Sequence, residues 1–187
     1  MQNSTEKYLP RYENLRVTRE EYLDLEEDGF RYDMINGVLQ MSPSPEFEHS
    51  KRANRFNFQI LQFLEKNPIG EVVFECDVLL PDGGDVVRPD ISVILKENMN
   101  KVKMHIHGAP DIVAEVLSPS TKNRDLGVKA DRYLNCGVKE YWIVDPKEKS
   151  ISVWRNENRV WKKETGNVLQ SYVLPGLKIL SKDIFEE

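Results

Sequence analysis

Two carboxylates occupy strand-like positions where a charge needs a partner. Once the apolar run DIVAEVL has started, Glu115 is its only polar residue, and Asp90 opens the run DISVIL directly after Pro89. A carboxylate inside such a strand loses hydration and must be offset by a cation, a proton or a metal. The alternatives are a salt bridge or an exposed strand end for Glu115, and for Asp90 a strand-end turn, which Pro-Asp often forms.

Two carboxylates on neighbouring strands can together hold one hard divalent cation. Mg²⁺ prefers oxygen ligands, keeps several waters and needs only one or two carboxylates plus substrate phosphate. A bound ion of this kind activates a water and neutralises charge at phosphorus. We therefore expect Asp90 and Glu115 to bind Mg²⁺ or Mn²⁺ for phosphodiester hydrolysis, with a backbone carbonyl near Val116 as an extra ligand.

A lysine borders the inward face of the helix predicted over residues 125–136. Lys129 stands at helical spacing beside Leu126, Ala130 and Tyr133, which form the apolar stripe of that helix. A lysine aimed inward can pair with the buried carboxylates and orient the attacking water, or stabilise the charge that develops on the phosphate. The alternative is a lysine whose stem lies along an apolar surface while its ammonium reaches water.

The first part of the chain predicts a helix, a hairpin and a long helix. Residues 18–28 begin with a capping box formed by Thr18 and Glu21. Residues 31–41 alternate around an Asn-Gly pair that fits a type I′ turn. Apolar residues recur at helical spacing over residues 45–66, which predicts the longest helix of the chain.

The second part is richer in strands. Residues 71–80 and 90–95 predict another hairpin around the turn PDGGD, and a polar loop is expected over 96–109. The further strand predictions are 111–117 as a buried central strand, 140–145, and 151–155 paired with 159–164. This order of elements predicts an α/β or α+β fold in which helices flank a mixed sheet.

Size and composition limit the class of protein. A chain of 187 residues, 40% hydrophobic and 30% charged, is expected to form one globular domain over residues 1–187. The first residues lack the apolar core of a signal peptide, and no apolar run is long enough to span a bilayer. Cys76 and Cys136 lack zinc-site spacing and are expected to be reduced thiols in a cytoplasmic protein.

The net charge of −5 is unusual for a protein that only grips DNA, because phosphate contacts favour basic surfaces. Acidic residues gathered around a metal site would lower the net charge. Basic residues are also clustered locally, within one short segment that contains Lys122, Arg124, Lys129 and Arg132.

The runs RPDISVI, APDIVAEVLSPST and RDLGVKADRYLNCGVKEYWIVDP resemble the Uma-type family of endonucleases. That family belongs to the PD-(D/E)XK nuclease superfamily, which includes many restriction enzymes. The resemblance extends from YDMINGVLQMSPSP through GVKEYWIVDP and so covers most of the chain. It implies a restriction endonuclease-like fold and metal-dependent DNA hydrolysis, with Asp90 and Glu115 as the metal carboxylates.

The sequence departs from the superfamily pattern at the catalytic lysine. That lysine should stand two residues after the acid, where this chain carries Leu117. The family resemblance implies that the lysine has moved to the helix, at Lys129. Lys122, on the loop just past the strand, is the second candidate. The alternative is that the departure reflects a weakened or lost activity.

Three further residues are candidates for the neighbourhood of the site. His49, where the family tends to carry a histidine, is either near the metal or scissile phosphate or a buried, hydrogen-bonded histidine. Asp33, where the family more often carries Glu, is either an outer carboxylate or an exposed hairpin acid. Glu75 shares a predicted strand face with Val73 and Asp77 and could complete an acidic cluster.

The sequence analysis therefore favours a DNA endonuclease that acts as a homodimer, because cutting both strands needs two active sites. The rival is a catalytically weak nucleic-acid-binding or scaffold protein that keeps the nuclease fold. A third hypothesis is a metal-dependent hydrolase of another phosphodiester. A P-loop is not expected, since the chain has no G-x-x-x-x-G-K-[ST] motif.

Overall fold

The computed structural model describes residues 9–81 and 84–186 and contains both helices and strands. The helices are α1 (Arg19–Leu23), α2 (Phe47–Lys66), α3 (Lys122–Arg124), α4 (Ala130–Cys136) and α5 (Ser181–Phe185). The strands before α3 are β1 (Arg31–Ile35), β2 (Val38–Ser42), β3 (Gly70–Phe74), β4 (Val78–Leu79), β5 (Val86–Val87), β6 (Ile91–Leu95), β7 (Ile106–His107) and β8 (Ile112–Val116). Those after α4 are β9 (Glu140–Asp145), β10 (Ser150–Glu157), β11 (Val160–Thr165), β12 (Val168–Gln170) and β13 (Lys178–Leu180).

A six-stranded mixed sheet forms the centre of the fold, in the order β11-β10-β9-β8-β6-β3. Strands β8 and β9 run parallel, and the other neighbours are antiparallel. Every residue of β8 is buried, as is every residue of β9. The prediction of a buried central strand over 111–117 is therefore confirmed, and so is the α+β class with a mixed sheet flanked by helices.

Helix α2 covers one face of this sheet. Its apolar positions Ala53, Phe56, Ile60 and Leu64 are buried in the same cluster as the inward residues of β6, β8 and β9. The ring of Phe56 lies 5.6 Å from that of Trp142 on β9. The first turns of this helix consequently lie beside the end of β8, where Glu115 is found. No helix in the described part of the chain is long and apolar enough to cross a membrane.

A second, five-stranded sheet has the order β2-β1-β5-β4-β7. Its β1–β2 hairpin turns at Asn36 and Gly37, whose φ angles of 54° and 70° are those of the predicted type I′ turn. Helix α1 begins with the predicted capping box between Thr18 and Glu21 but ends at Leu23, well before residue 28. Within the expected loop 96–109 lie a 3₁₀ helix and strand β7.

The predicted strand over 71–80 is divided between the two sheets. Strand β3 pairs with β6 in the six-stranded sheet, whereas β4 pairs with β5 in the other sheet. The chain changes direction at Glu75, whose φ of 48° is in the left-handed region. The expected hairpin is therefore formed by two separate antiparallel pairs, β3 with β6 and β4 with β5. Two residues of its predicted turn PDGGD lie outside the described ranges.

Residues 122–136 form a helical segment that starts three residues earlier than predicted. Between α3 and α4, residues Asp125–Lys129 form a π-helical turn, and Gly127 departs from helical geometry with φ −107° and ψ −105°. Such turns are often found at functional sites. This one carries two buried charges, Asp125 and Lys129, on one side of the segment.

Candidate active site

Three carboxylates lie at or just beyond the ends of three neighbouring strands. Glu75 follows β3, Asp90 precedes β6 and Glu115 lies near the end of β8. The Glu75 amide donates to the Asp90 carbonyl at 2.9 Å, and the Asp90 amide donates to Glu115 Oε2 at 3.3 Å. The pairing of Ile91 with Ala114 places Asp90 opposite Glu115 in the antiparallel register. The sheet therefore brings together the two carboxylates that the sequence proposes as metal ligands.

Asp90 is held by the end of β8 and by helix α2. The amide of Val116 donates to Asp90 Oδ2 at 2.7 Å, and His49 Nε2 lies 3.2 Å from the same oxygen. Burial opposes the charged form of His49, but Asp90 and then Glu115 favour it, and the net effect raises the pKa of His49. Both contacts fall on Oδ2, and Asp90 Oδ1 receives no hydrogen bond from the described residues.

Glu115 is 3% exposed and has two partners on the helical segment. Lys129 Nζ lies 2.5 Å from Glu115 Oε1, and the Tyr133 hydroxyl donates to the same oxygen at 2.9 Å. Burial raises the pKa of Glu115, and the charges of Asp125 and Asp90 add to this rise, although Lys129 acts against it. The carboxylate is thus in a place where a cation has a large effect on its protonation.

Lys129 is as deeply buried as Glu115 and faces three carboxylates. Besides Glu115, its Nζ lies 3.4 Å from Asp125 Oδ1 and 3.9 Å from Asp33 Oδ2. Burial disfavours the ammonium, but Asp33, Glu115 and Asp125 outweigh it and raise the pKa of Lys129 well above its ordinary value. Lys129 is therefore a buried ammonium, and the structure excludes a lysine that reaches past the apolar stripe to water.

Asp33 is 1% exposed, so it is a buried acid and not an exposed hairpin residue. The Arg88 amide donates to its Oδ1 at 2.9 Å and the Ser42 hydroxyl to its Oδ2 at 3.4 Å. The guanidinium of Arg124 lies 3.5 Å from Oδ2. Asp33 thereby connects the β1–β2 hairpin to the helical segment that carries Lys129.

A pocket of about 220 Å³ lies over these residues. Six carboxylates and four lysine or arginine side chains line it, together with His49 and Val116. The carboxylates are Asp33, Glu46, Glu75, Asp90, Glu115 and Asp125, and the cations are Arg31, Arg88, Arg124 and Lys129. The carboxyl groups in the lining outnumber the lysine and arginine side chains by two.

The donor set fits some metals better than others. No group of three or more His, Cys, Asp or Glu side chains within residues 9–81 and 84–186 is arranged to hold a metal ion. A zinc site, which takes three or four protein ligands, therefore does not fit. Mg²⁺ and Mn²⁺ take hard oxygen ligands, and Mg²⁺ is commonly bound through one or two carboxylates, as Asp90 and Glu115 could provide.

Of the remaining residues proposed from the sequence, Glu75 lines the pocket and Lys122 does not. Glu75 lines the pocket and forms an ion pair with Arg31, but it follows strand β3 and does not lie within a strand. Lys122 is outside the pocket lining, and its Nζ lies 2.9 Å from Asp145. Cys76 and Cys136 are both half-buried and form no disulfide with each other. That they are reduced thiols stays a prediction.

The sequence analysis missed three residues of this neighbourhood. Asp125 stands four residues before Lys129, a spacing that indicates an ion pair on a helix. Tyr133 was interpreted only as part of an apolar stripe, yet its hydroxyl binds Glu115. Arg88 contacts Asp33 through its backbone, for which its residue type gives no signal.

Comparison with known proteins identifies the family and a similar fold. A sequence model of the Uma2 family, described as "Putative restriction endonuclease", matches residues 19–181. The fold is similar to the crystal structure of a "putative nuclease belonging to DUF820" from Anabaena variabilis, with a TM-score of 0.77 and 23% identity. That similarity covers 90% of this chain and 97% of the other. No curated protein matches the sequence. The chain therefore belongs to the Uma2 family of putative restriction endonucleases.

Proposed function

We propose that this protein is a Mg²⁺- or Mn²⁺-dependent endonuclease that hydrolyses phosphodiester bonds of DNA. The observation that carries the proposal is the meeting of Asp90, Glu115 and Lys129 in one pocket. Lys129 Nζ lies 2.5 Å from Glu115 Oε1, and Glu115 Oε2 accepts a hydrogen bond from the Asp90 amide. Two carboxylates can hold a metal ion that activates water, and a buried ammonium beside them can stabilise charge on the phosphate.

Asp90 and Glu115 are the proposed metal ligands, with the backbone carbonyl of Val116 as an extra one. Asp90 Oδ1 is the atom best suited to this role, because Oδ2 already accepts the Val116 amide. The bound ion would supply a water of lowered pKa and neutralise charge on the phosphate. The pocket lining holds more carboxyl groups than lysine and arginine side chains, which supports a cation at this place.

Lys129 is proposed to act as an ammonium. Its raised pKa keeps it protonated at neutral pH, so it is unsuited to removing a proton from water. Its three N–H donors can instead orient the attacking water and stabilise the charge that develops on the phosphate oxygens. Asp125 and Asp33, at 3.4 and 3.9 Å from Nζ, would hold the ammonium in position.

His49 is proposed to contact the scissile phosphate. It lies in the first turns of α2, faces the pocket and contacts Asp90 at 3.2 Å. An imidazole N–H in this position can donate a hydrogen bond to a phosphate oxygen of a bound strand.

A homodimer is part of the proposal, since two active sites are needed to cut both strands of a duplex. Within the described residues each chain contributes one such pocket with its own Asp90, Glu115 and Lys129. A single chain would then nick one strand, and a second copy would cut the other.

Cleavage of supercoiled plasmid tests the proposal. Wild type with Mg²⁺ or Mn²⁺ should convert the plasmid to nicked and then linear DNA. Glu115→Gln and Lys129→Met should lose about 100-fold or more in rate, as expected when a catalytic donor or metal ligand is removed. Lys122→Ala is the matched lysine control and should cleave like wild type, because Lys122 pairs with Asp145 outside the pocket.

Each other outcome points to a different conclusion. Loss in Glu115→Gln and Lys122→Ala, with Lys129→Met active, would move the ammonium role to Lys122. No cleavage by folded wild type with either metal would contradict the endonuclease proposal for DNA. It would favour a protein that keeps the nuclease fold as a scaffold or nucleic-acid-binding module.

A further inference from the structure

A second pocket, of about 210 Å³, adjoins the candidate active site along strand β1. The two pockets share Arg31, Tyr32 and Arg88 in their walls. The rest of the second pocket is rich in rings, contributed by Tyr12, Tyr22 and Phe30. We call it the aromatic pocket. Because it opens directly beside the carboxylates and Lys129, a chain molecule bound at the active site could continue into it.

Two arginines form a cationic ridge between the pockets. The side chain of Arg31 is 51% exposed and that of Arg88 is 28% exposed. Arg31 pairs with Glu75, and Arg88 Nε lies 2.6 Å from Asp77 Oδ1. A guanidinium has five N–H donors, so these pairs leave donors for a phosphate. The ridge is therefore suited to a phosphate next to the one being cut.

The aromatic pocket itself is unsuited to phosphate but suited to a nucleobase. Its wall contains the carboxylates of Glu26, Asp28 and Asp77, which would repel an anion. Aromatic rings stack on bases of any sequence, and carboxylates accept hydrogen bonds from exocyclic amino groups of bases. A base inside a duplex is stacked on both sides, so it reaches a ring-lined pocket only when it is unpaired or extruded.

We propose that the aromatic pocket binds an unpaired nucleobase of the strand being cut, with the adjacent phosphate on Arg31 and Arg88. The inference rests on the proposed function and narrows its substrate class. The substrate is single-stranded DNA, or a duplex whose base leaves the stack beside the cleavage site. Fully paired DNA without a distortion does not place a base in this pocket.

Tyr12 is the residue that tests the pocket. Its ring lies 5.9 Å from that of Tyr32 in an edge-on arrangement and lines the pocket. Its backbone N–H donates to the Tyr32 hydroxyl at 3.3 Å, a bond that an alanine keeps. Tyr172 is the matched control: it is an exposed tyrosine outside both pockets, stacked 3.9 Å from the Arg155 guanidinium.

The experiment measures anisotropy of a short fluorescein-labelled single-stranded DNA without divalent metal, so that nothing is cut. Tyr12→Ala should bind about tenfold more weakly than wild type, as expected for one lost base–ring stack. Tyr12→Phe should recover most of the affinity, and Tyr172→Ala should bind like wild type. An abasic site at one position of the DNA should weaken binding by the wild type by a similar factor. The same abasic site should not weaken binding by Tyr12→Ala any further. A fully paired duplex should bind more weakly than the single strand.

Equal binding by Tyr12→Ala and wild type would overturn the inference, and so would a wild type that is insensitive to every abasic position. The abasic scan needs no variant, so it decides the matter even if Tyr12→Ala is poorly folded. Plasmid cleavage by the wild type distinguishes a failure of the aromatic-pocket proposal from a failure of the proposed function. A protein that cuts DNA but shows neither effect loses the aromatic pocket alone, whereas one that neither cuts nor binds DNA loses the proposed function as well.

Discussion

The ammonium of Lys129 lies 2.5 Å from Glu115 Oε1, although the two residues belong to different elements. Glu115 is on β8 and Lys129 is on the π-helical turn before α4. Leu117, two residues after Glu115, is buried in the same apolar cluster as Ala130 and Tyr133. The helical segment therefore packs on Leu117, and it brings its own lysine to the acid.

The first prediction concerns the stability of this buried pair. Lys129→Met should destabilise the fold by about 3–5 kcal/mol at neutral pH, because it leaves buried carboxylates without their cation. Adding Glu115→Gln to Lys129→Met should recover part of that loss by removing one of the stranded charges. Urea unfolding of the wild type, both single variants and the double variant would measure the coupling. Purely additive effects would show that the pair does not interact.

Plasmid cleavage distinguishes this stability effect from catalysis. The double variant should stay inactive even though it is more stable than Lys129→Met. Recovered cleavage in the double variant would contradict both proposed roles, because neither the Glu115 carboxylate nor the Lys129 ammonium would then be needed.

The second prediction transfers the lysine to the strand. Leu117 directly follows β8, and its amide still donates to the Val144 carbonyl at 2.8 Å. Because side chains alternate along an extended chain, Leu117 lies on the same side as Glu115. Leu117→Lys combined with Lys129→Ala should therefore place an ammonium near Glu115 and recover part of the cleavage lost in Lys129→Ala. Leu117→Met with Lys129→Ala is the control and should stay inactive. A folded Leu117→Lys variant that recovers nothing would show that the ammonium must come from the helix.

The sequence predicted the elements whose patterns are local. Residues 140–145 form one strand with a run of hydrophobic residues between two acids, and all six are buried. The hairpin turn at Asn36 and Gly37 depends on two residues that tolerate positive φ. Asp90, Glu115 and Lys129 could be singled out because each charge interrupts or borders an apolar pattern. The predicted single domain and the catalytic roles of these residues stay predictions.

The features of the fold and the site that the sequence did not predict depend on contacts between distant segments. The change of sheet at Glu75 uses a left-handed backbone at a residue type that rarely adopts it, so no sequence pattern indicates it. The contact of Tyr133 with Glu115 requires the departure from helical geometry at Gly127 and the packing of α4 on β8. The sequence favoured Lys129 but kept Lys122 as a second candidate, because both follow the strand closely, and only the fold separates their partners.

The third prediction concerns pH and a buried carboxylate at the opposite end of β8 from Glu115. Asp111 accepts hydrogen bonds from the Leu95 amide at 2.8 Å and from Asn98, and Lys139 Nζ lies 2.8 Å from it. Burial opposes its charge, but Lys139, Leu95 and Asn98 outweigh burial and lower the pKa of Asp111. The ionised form therefore favours the folded state.

A lowered pKa in the folded state gives stability that is present above the unfolded pKa, about 3.9 for an aspartate. It is lost as the pH falls through the folded pKa. Asp111→Asn should accordingly be less stable than wild type from pH 7 to pH 5, with a difference that shrinks below about pH 4. Urea unfolding across this range measures it, and the exposed Asp131→Asn is the control. A difference that does not change with pH would contradict the assigned role of the charge.

The fourth prediction is that Mn²⁺ stabilises the protein through Asp90 and Glu115. A cation that binds only the folded state adds RT ln(1 + [L]/Kd) to the free energy of unfolding, about 2.7 kcal/mol at one hundred times Kd. The melting temperature of wild type should therefore rise with Mn²⁺ and return with a chelator. Asp90→Asn and Glu115→Gln should lose the rise, whereas Asp145→Asn, which removes a carboxylate outside the pocket lining, should keep it. An equal rise in all four proteins would place the cation elsewhere, and no rise in wild type would leave Asp90 and Glu115 without the metal on which the proposed hydrolysis depends.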